Sequence, residues 1–86
     1  MANAQRGEVE LVVADRRYRL CLTLGALAEL EARPVSRLST GELVRLLTLL
    51  ARGGGHVLDE ADVAAWPLAP EAAADAVARC LQAGGE

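Results

Sequence analysis

The chain has 86 residues, a net charge of −3 and a hydrophobic content of 52%, and its aromatic rings are limited to Tyr18, His56 and Trp66. This length is that of one small domain, which buries roughly 60–65% of the surface of its unfolded chain. Twelve acidic residues outnumber nine basic ones, so nucleic acid is not expected as a partner. No apolar run approaches the ~18 residues of a membrane span, and residues 1–8 lack the apolar stretch of a signal peptide; we therefore expect a cytoplasmic protein without membrane contact.

Residues 1–6 are predicted to form a flexible tail, and residues 7–86 a single small α+β domain. Apolar and polar residues alternate from Glu8 to Leu22 around a short polar break, which is typical of a β-hairpin. We predict an even loop centred on Asp15-Arg16, because this loop pairs apolar residues with one another. The predicted pairs are Val13 with Tyr18, Leu11 with Leu20 and Val9 with Leu22.

The arginines of the second strand have two interpretations. Arg16, Arg17 and Arg19 form a short basic run. Such a run occurs in nucleic-acid sites, but glutamates at positions 8 and 10 of the preceding strand favour cross-strand ion pairs instead.

Three helix starts share one pattern, in which an apolar residue precedes a capping residue and another apolar residue follows four positions after the cap. The caps are Thr23, Ser39 and Asp59, and the last two are followed by an acid at the third helical position. Pro70 marks a fourth start. The predicted helices cover residues 24–33, 40–52, 60–65 and 70–83. The predicted fold class is α+β, with an N-terminal β-hairpin followed by three to four short helices.

The second helix carries more apolar surface than one core requires. Its apolar residues from Leu43 to Ala51 occupy an arc of roughly 220°, whereas a stripe of about 100° covers a single core. The helix is therefore either wedged centrally or presents one side, with Leu49, to a partner. Trp66 is either a partner anchor or a cover over the small core. The predicted partner-binding residues are Val12, Leu46, Leu49, Leu50 and Trp66.

No catalytic, metal-binding or cofactor-binding residue is predicted, and we expect a protein that is not an enzyme. The glycine triplet 53–55 lacks the Lys-Ser/Thr of a phosphate loop and is interpreted as a helix cap or hinge. His56 has no recognised catalytic companion and is expected to be a solvated loop residue. The acids at 59–62 complement a helix dipole without an ion. Cys80 is expected in the core, and Cys21 partly exposed on the more polar face of its strand.

Several stretches together resemble the small gene-transfer-agent family of phage tail proteins, which is classed among tail-tube and tail-assembly chaperones. The most specific is TLGALAELE, residues 23–31, and the resemblance spans about residues 6–68. Further matching stretches are Gly7-Glu8-Val9, Arg17-Tyr18-Arg19-Leu20 and Gly53-Gly54-Gly55-His56 ahead of Asp59-Glu60-Ala61-Asp62-Val63.

The resemblance implies a bacterial protein encoded among prophage-like tail genes and associated with phage-like particles. It implies a tail assembly chaperone that binds the tape-measure protein, the tail tube protein or both during tail morphogenesis. A minor structural component retained in the tail is the alternative. A homo-oligomer is compatible with the wide apolar helix and with the open edges of a two-stranded hairpin, which also suit strand addition.

Overall fold

An antiparallel hairpin is followed by four helices in the computed structural model, which describes residues 8–32 and 37–84. This architecture confirms the predicted α+β class. The predicted tail at residues 1–6 and the predicted helix end at residue 33 lie outside the described residues. The elements are β1 (Glu8–Val13), β2 (Arg16–Cys21), α1 (Leu24–Ala32), α2 (Thr40–Gly53), α3 (Glu60–Ala64) and α4 (Pro70–Gly84).

The hairpin has the predicted even loop, but the loop is Ala14-Asp15 and the predicted register is wrong by two residues. Leu11 pairs with Tyr18, and Val9 with Leu20. Ala14 and Asp15 have φ values of 48° and 67°, the left-handed conformation of a two-residue turn that matches strand twist. A shift of two residues leaves every side chain on its predicted face. The hydrophobic pattern therefore cannot distinguish the two registers.

The register places Glu10 directly opposite Arg19. Their charged groups form no ion pair in the described part of the chain, so the predicted cross-strand pair is wrong for these two residues. Ion pairs are instead formed on the helices, by Arg45 with Glu29 at 2.9 Å and by Arg79 with Asp75 at 3.0 Å. Asp75 and Arg79 lie four residues apart, the spacing at which side chains on one face of a helix meet.

The predicted helix caps are all present. The N–H of Ala26 donates to the Thr23 hydroxyl at 3.2 Å. Ser39 with Glu42, and Asp59 with Asp62, form reciprocal capping boxes in which each side chain accepts a backbone N–H of the other residue. These bonds satisfy N–H groups that have no partner within the helix, so the sequence defines the starts of α1, α2 and α3.

Helix α2 occupies the centre of the fold and contacts β2, α1, α3 and α4. Leu50 is fully buried on it, and Leu46 is 2% exposed. The wide apolar arc of α2 is explained by this position between the hairpin and the other helices. Helix α4 completes the core with Ala73, Ala76, Val77 and Cys80, whose spacing of three and four residues places them on one face of the helix. None of the helices within residues 8–32 and 37–84 has the length and hydropathy needed to cross a bilayer.

Candidate functional site

An apolar pocket of about 90 Å³ opens between α2, α3 and the start of α4. We call it the Trp66 pocket. Its main walls are Leu43, Val44 and Leu47 of α2, Val63 and Ala64 of α3, and Trp66. A water molecule takes up about 30 Å³ of liquid, so the pocket has room on the order of one aliphatic side chain.

The backbone around Trp66 is fixed by two short hydrogen bonds. The N–H of Trp66 donates to the Val63 carbonyl at 3.0 Å, and the N–H of Leu68 donates to the Trp66 carbonyl at 2.9 Å. Pro67 lies between them and limits the backbone torsion at this turn. The chain reversal after α3 therefore holds Trp66 at the side of the pocket.

The Trp66 ring is also supported from the hairpin. Tyr18, on the inner face of β2, packs against Trp66 with ring centroids 4.7 Å apart and an interplanar angle of 35°. His56 packs against Tyr18 as well, with its ring edge-on and the two ring centroids 5.3 Å apart. Such aromatic pairs contribute about 0.5–1.5 kcal/mol beyond area burial, so Trp66 is preorganised before any partner arrives.

His56 is not the solvated loop residue expected from the sequence. It is half-buried, and its Nε2 accepts a hydrogen bond of 2.8 Å from the N–H of Arg19. An accepting Nε2 carries no proton, so this hydrogen bond requires the tautomer with the ring proton on Nδ1. The bond joins the loop after α2 to the outer side of β2. No local sequence signal indicates it, because the two residues lie 37 positions apart.

The glycine triplet is a helix end, as predicted, and it also permits a close approach of α2 to β2. Gly55 has a φ of 96°, which favours glycine. A Cβ on Gly54 would collide with the Arg19 carbonyl oxygen, and one on Gly53 would lie 2.7 Å from the Cys21 carbonyl oxygen. Gly53 and Gly54 thus let the end of α2 pack directly on the β2 backbone.

The five predicted partner-binding residues do not form one surface. Leu46 and Leu50 are 2% and 0% exposed, so their side chains lie in the core and offer nothing to a partner in this fold. Trp66 is half-buried beside the pocket, and Val12 is 55% exposed on the outer face of β1. The partner role of Val12, Leu49 and Trp66 stays a prediction.

Leu49 lies apart from the Trp66 pocket, in a shallow and mostly polar depression. Its neighbours there include Arg45, Arg52, Asp59 and Glu60. Arg52 donates from Nε to the Leu58 carbonyl at 2.7 Å. Leu49 is half-buried and packs against the core. This surrounding is less suited to an apolar side chain than the Trp66 pocket is.

The Cys80 thiol and the Asp59 carboxylate have structural roles, in core packing and in helix capping. Cys80 is fully buried, and burial raises the pKa of its thiol to about 11, so it is a neutral thiol near pH 7. The N–H of Asp62 donates to the Asp59 carboxylate at 2.9 Å and holds the pKa of Asp59 below its usual value. Among residues 8–32 and 37–84, no group of three or more His, Cys, Asp or Glu side chains could hold a metal ion.

Residues 6–84 match the family described as phage tail tube protein, GTA-gp10. No curated protein and no solved structure matches the chain. The family match extends through α4, beyond the stretch on which the resemblance in the sequence rests. It covers nearly the whole chain, which therefore belongs to the GTA-gp10 family of phage tail tube proteins.

Proposed function

We propose that this chain is a tail assembly chaperone, which binds an apolar helix of the tape-measure protein in the Trp66 pocket during tail morphogenesis. It acts in the bacterial cytoplasm and leaves the tail before the particle is complete. The observation that carries the proposal is an open apolar pocket, bordered by a fixed tryptophan, in a member of a tail tube family.

The pocket suits one anchor side chain of a helix. Helix recognition commonly places apolar anchors, spaced by three or four residues, into a hydrophobic groove. Tryptophan is enriched among the residues that dominate binding energy, above all where it is well packed and loses water on binding. Trp66 is half-buried and already held by Tyr18, so little side-chain freedom is lost when a partner covers it.

The family narrows the partner to the other components of a phage-like tail. Tail assembly chaperones, which this chain resembles, bind the long and partly hydrophobic helices of the tape-measure protein. A helical partner with exposed apolar side chains fits the Trp66 pocket better than the polar depression around Leu49. The same proposal includes the tail tube protein as a second partner of this chain.

Filling the pocket from its rim tests the proposal. Ala64 is exposed and lines the pocket, whereas its neighbour Ala65 is exposed and does not. We expect Ala64→Phe to raise the Kd for the tape-measure protein about tenfold or more, because the new ring occupies the anchor position. Ala65→Phe, the matched control, is expected to change the Kd less than about twofold. Trp66 fluorescence reports binding during titration with synthetic peptides that span the tape-measure helices encoded by the same genome.

Circular dichroism of both variants checks that the fold is kept. Wild-type emission is expected to shift to shorter wavelength as Trp66 loses water to the peptide. Equal affinities for the two variants, or no saturable emission change with any peptide, would contradict binding in the Trp66 pocket.

A second candidate is a minor structural component that stays in the tail. The description of the family as a tail tube protein favours this alternative. The two roles use the same fold and differ in whether the chain is present in the finished particle.

A further inference from the structure

The two edges of the hairpin are not equivalent. The pair that closes a two-residue turn, here Val13 with Arg16, is hydrogen-bonded, and every second pair beyond it is hydrogen-bonded as well. Glu10 and Val12 belong to the pairs in between. Their backbone N–H and C=O groups point away from β2, and those of Arg19 point away from β1.

The outer side of β2 is closed. The N–H of Arg19 donates to His56, and Gly54 packs against the Arg19 carbonyl. A Cβ on Gly53 would lie 2.7 Å from the Cys21 carbonyl oxygen, so Gly53 also lies close to the β2 backbone. The end of α2 and the loop after it therefore occupy the side on which another strand would join β2.

The outer side of β1 is different. We use the name β1 edge for the outward backbone groups of Glu10 and Val12. No hydrogen bond from residues 8–32 or 37–84 reaches these groups. Both side chains are exposed, and Val12 is one of the most exposed large apolar residues in the described chain, at 55%. An edge of this kind is a template for another strand.

We propose that the β1 edge binds an extended segment of a partner protein by strand addition, and that this segment carries a basic and an apolar side chain two positions apart, on one face. Opposite charges on directly paired residues stabilise a sheet, and Glu10 forms no ion pair with Arg19 opposite it, so its carboxylate is available to a basic side chain on a strand paired directly with β1. A strand added on the other side of β1 presents one side chain to Glu10 in the same way. A basic residue there, followed two positions away by an apolar residue against Val12, completes the outer face.

Charge disfavours a second copy of this chain as the added strand. Antiparallel pairing of two β1 strands with Glu8 of each strand opposite Val12 of the other places Glu10 opposite its own copy, and like charges in direct opposition destabilise a sheet. The inference goes beyond the proposed function, because the β1 edge and the Trp66 pocket lie on different elements and either can bind without the other.

Short peptides test the β1 edge directly. One peptide of seven residues carries arginine and valine in turn at every second position, with threonine between them, and its match has glutamate in place of arginine. With the ¹⁵N-labelled full chain, we expect saturable amide shifts at Glu10 and Val12 and slower amide exchange there with the arginine peptide only. Glu10→Arg is expected to reverse the preference of the chain between the two peptides.

A proline variant separates strand addition from simple charge attraction. Val12→Pro removes an outward N–H that bonds to nothing in the hairpin, and proline is tolerated on edge strands. We expect Val12→Pro to raise the Kd for the arginine peptide about tenfold or more. Val12→Thr keeps the N–H and is expected to keep most of the affinity.

Three results would overturn the proposal. These are equal binding of the two peptides, full affinity in Val12→Pro, and a dimer joined through β1 in sedimentation equilibrium without peptide. If Val12→Pro does not fold, the peptide preference of Glu10→Arg still tests the proposal. Because these peptides are unrelated to the tape-measure protein, failure at the β1 edge is distinct from failure at the Trp66 pocket.

Discussion

Leu50→Ala is expected to lower the free energy of unfolding by about 3–5 kcal/mol, the upper part of the range for leucine truncation in a core. Leu50 is fully buried on α2, and α2 contacts β2 and all three other helices. The cavity therefore lies where several elements meet and cannot easily collapse. A domain of this size has roughly 5–10 kcal/mol of stability in total, so the variant is expected to be largely destabilised.

Leu49→Ala is the matched control for this substitution. The same atoms are removed one position along α2, from a side chain that is only half-buried. We expect a loss of about 1–1.5 kcal/mol from the smaller buried area. Urea unfolding followed by circular dichroism gives both values. If Leu49→Ala cost as much as Leu50→Ala, α2 would not be oriented as the structure has it.

Gly54→Ala is expected to lower the free energy of unfolding by at least about 2 kcal/mol, within the range found for overpacked positions. The new methyl group meets the Arg19 carbonyl oxygen, which is backbone and cannot rotate away as a side chain does. Relief requires the end of α2 to move off β2. That movement also strains the hydrogen bond between His56 and the Arg19 N–H.

Two other glycines make graded controls. Gly55 has a φ of 96° with no atom within 4 Å of an added Cβ, so Gly55→Ala bears only backbone strain of about 1–2 kcal/mol. Gly41 lies in the first turn of α2 with only the Ser39 hydroxyl nearby, at 3.9 Å. Gly41→Ala is expected to stabilise by about 0.5–1 kcal/mol. Urea unfolding of the three variants tests this order of changes in the free energy of unfolding. If Gly54→Ala destabilised the protein no more than Gly41→Ala does, the close contact between Gly54 and the Arg19 carbonyl would be refuted.

The helices could be predicted from the sequence because their ends depend on neighbouring residues. Ser39 with Glu42, and Asp59 with Asp62, fix their helix starts through bonds three residues apart. The stripe of α4 likewise follows from the spacing of residues such as Val77 and Cys80 along one helix.

The hairpin register could not be predicted in the same way. Hydrophobic alternation determines which face each residue occupies, and two registers that differ by two residues satisfy it equally. The turn chemistry then decides, but Ala14-Asp15 lacks the glycine or asparagine that commonly indicates left-handed turn residues. The contacts made by the rest of the fold accommodate a less favoured turn sequence.

The candidate site was only partly predictable. Trp66 stands out from composition alone, and it does lie at the pocket. The supporting contacts of Tyr18 and His56 join residues from distant parts of the chain, so no local pattern indicates them. The wide apolar arc of α2 predicts a partner surface that includes Leu46 and Leu50, but that width reflects contacts on several sides of one core helix.

The protein composition of purified particles tests the central claim most directly. If the chain is a tail assembly chaperone, quantitative mass spectrometry of tailed particles finds the tape-measure and tube proteins but not this chain, and deletion of its gene abolishes tails. Recovery of the chain in fixed stoichiometry with the tube subunits would contradict the chaperone role and establish a retained structural component.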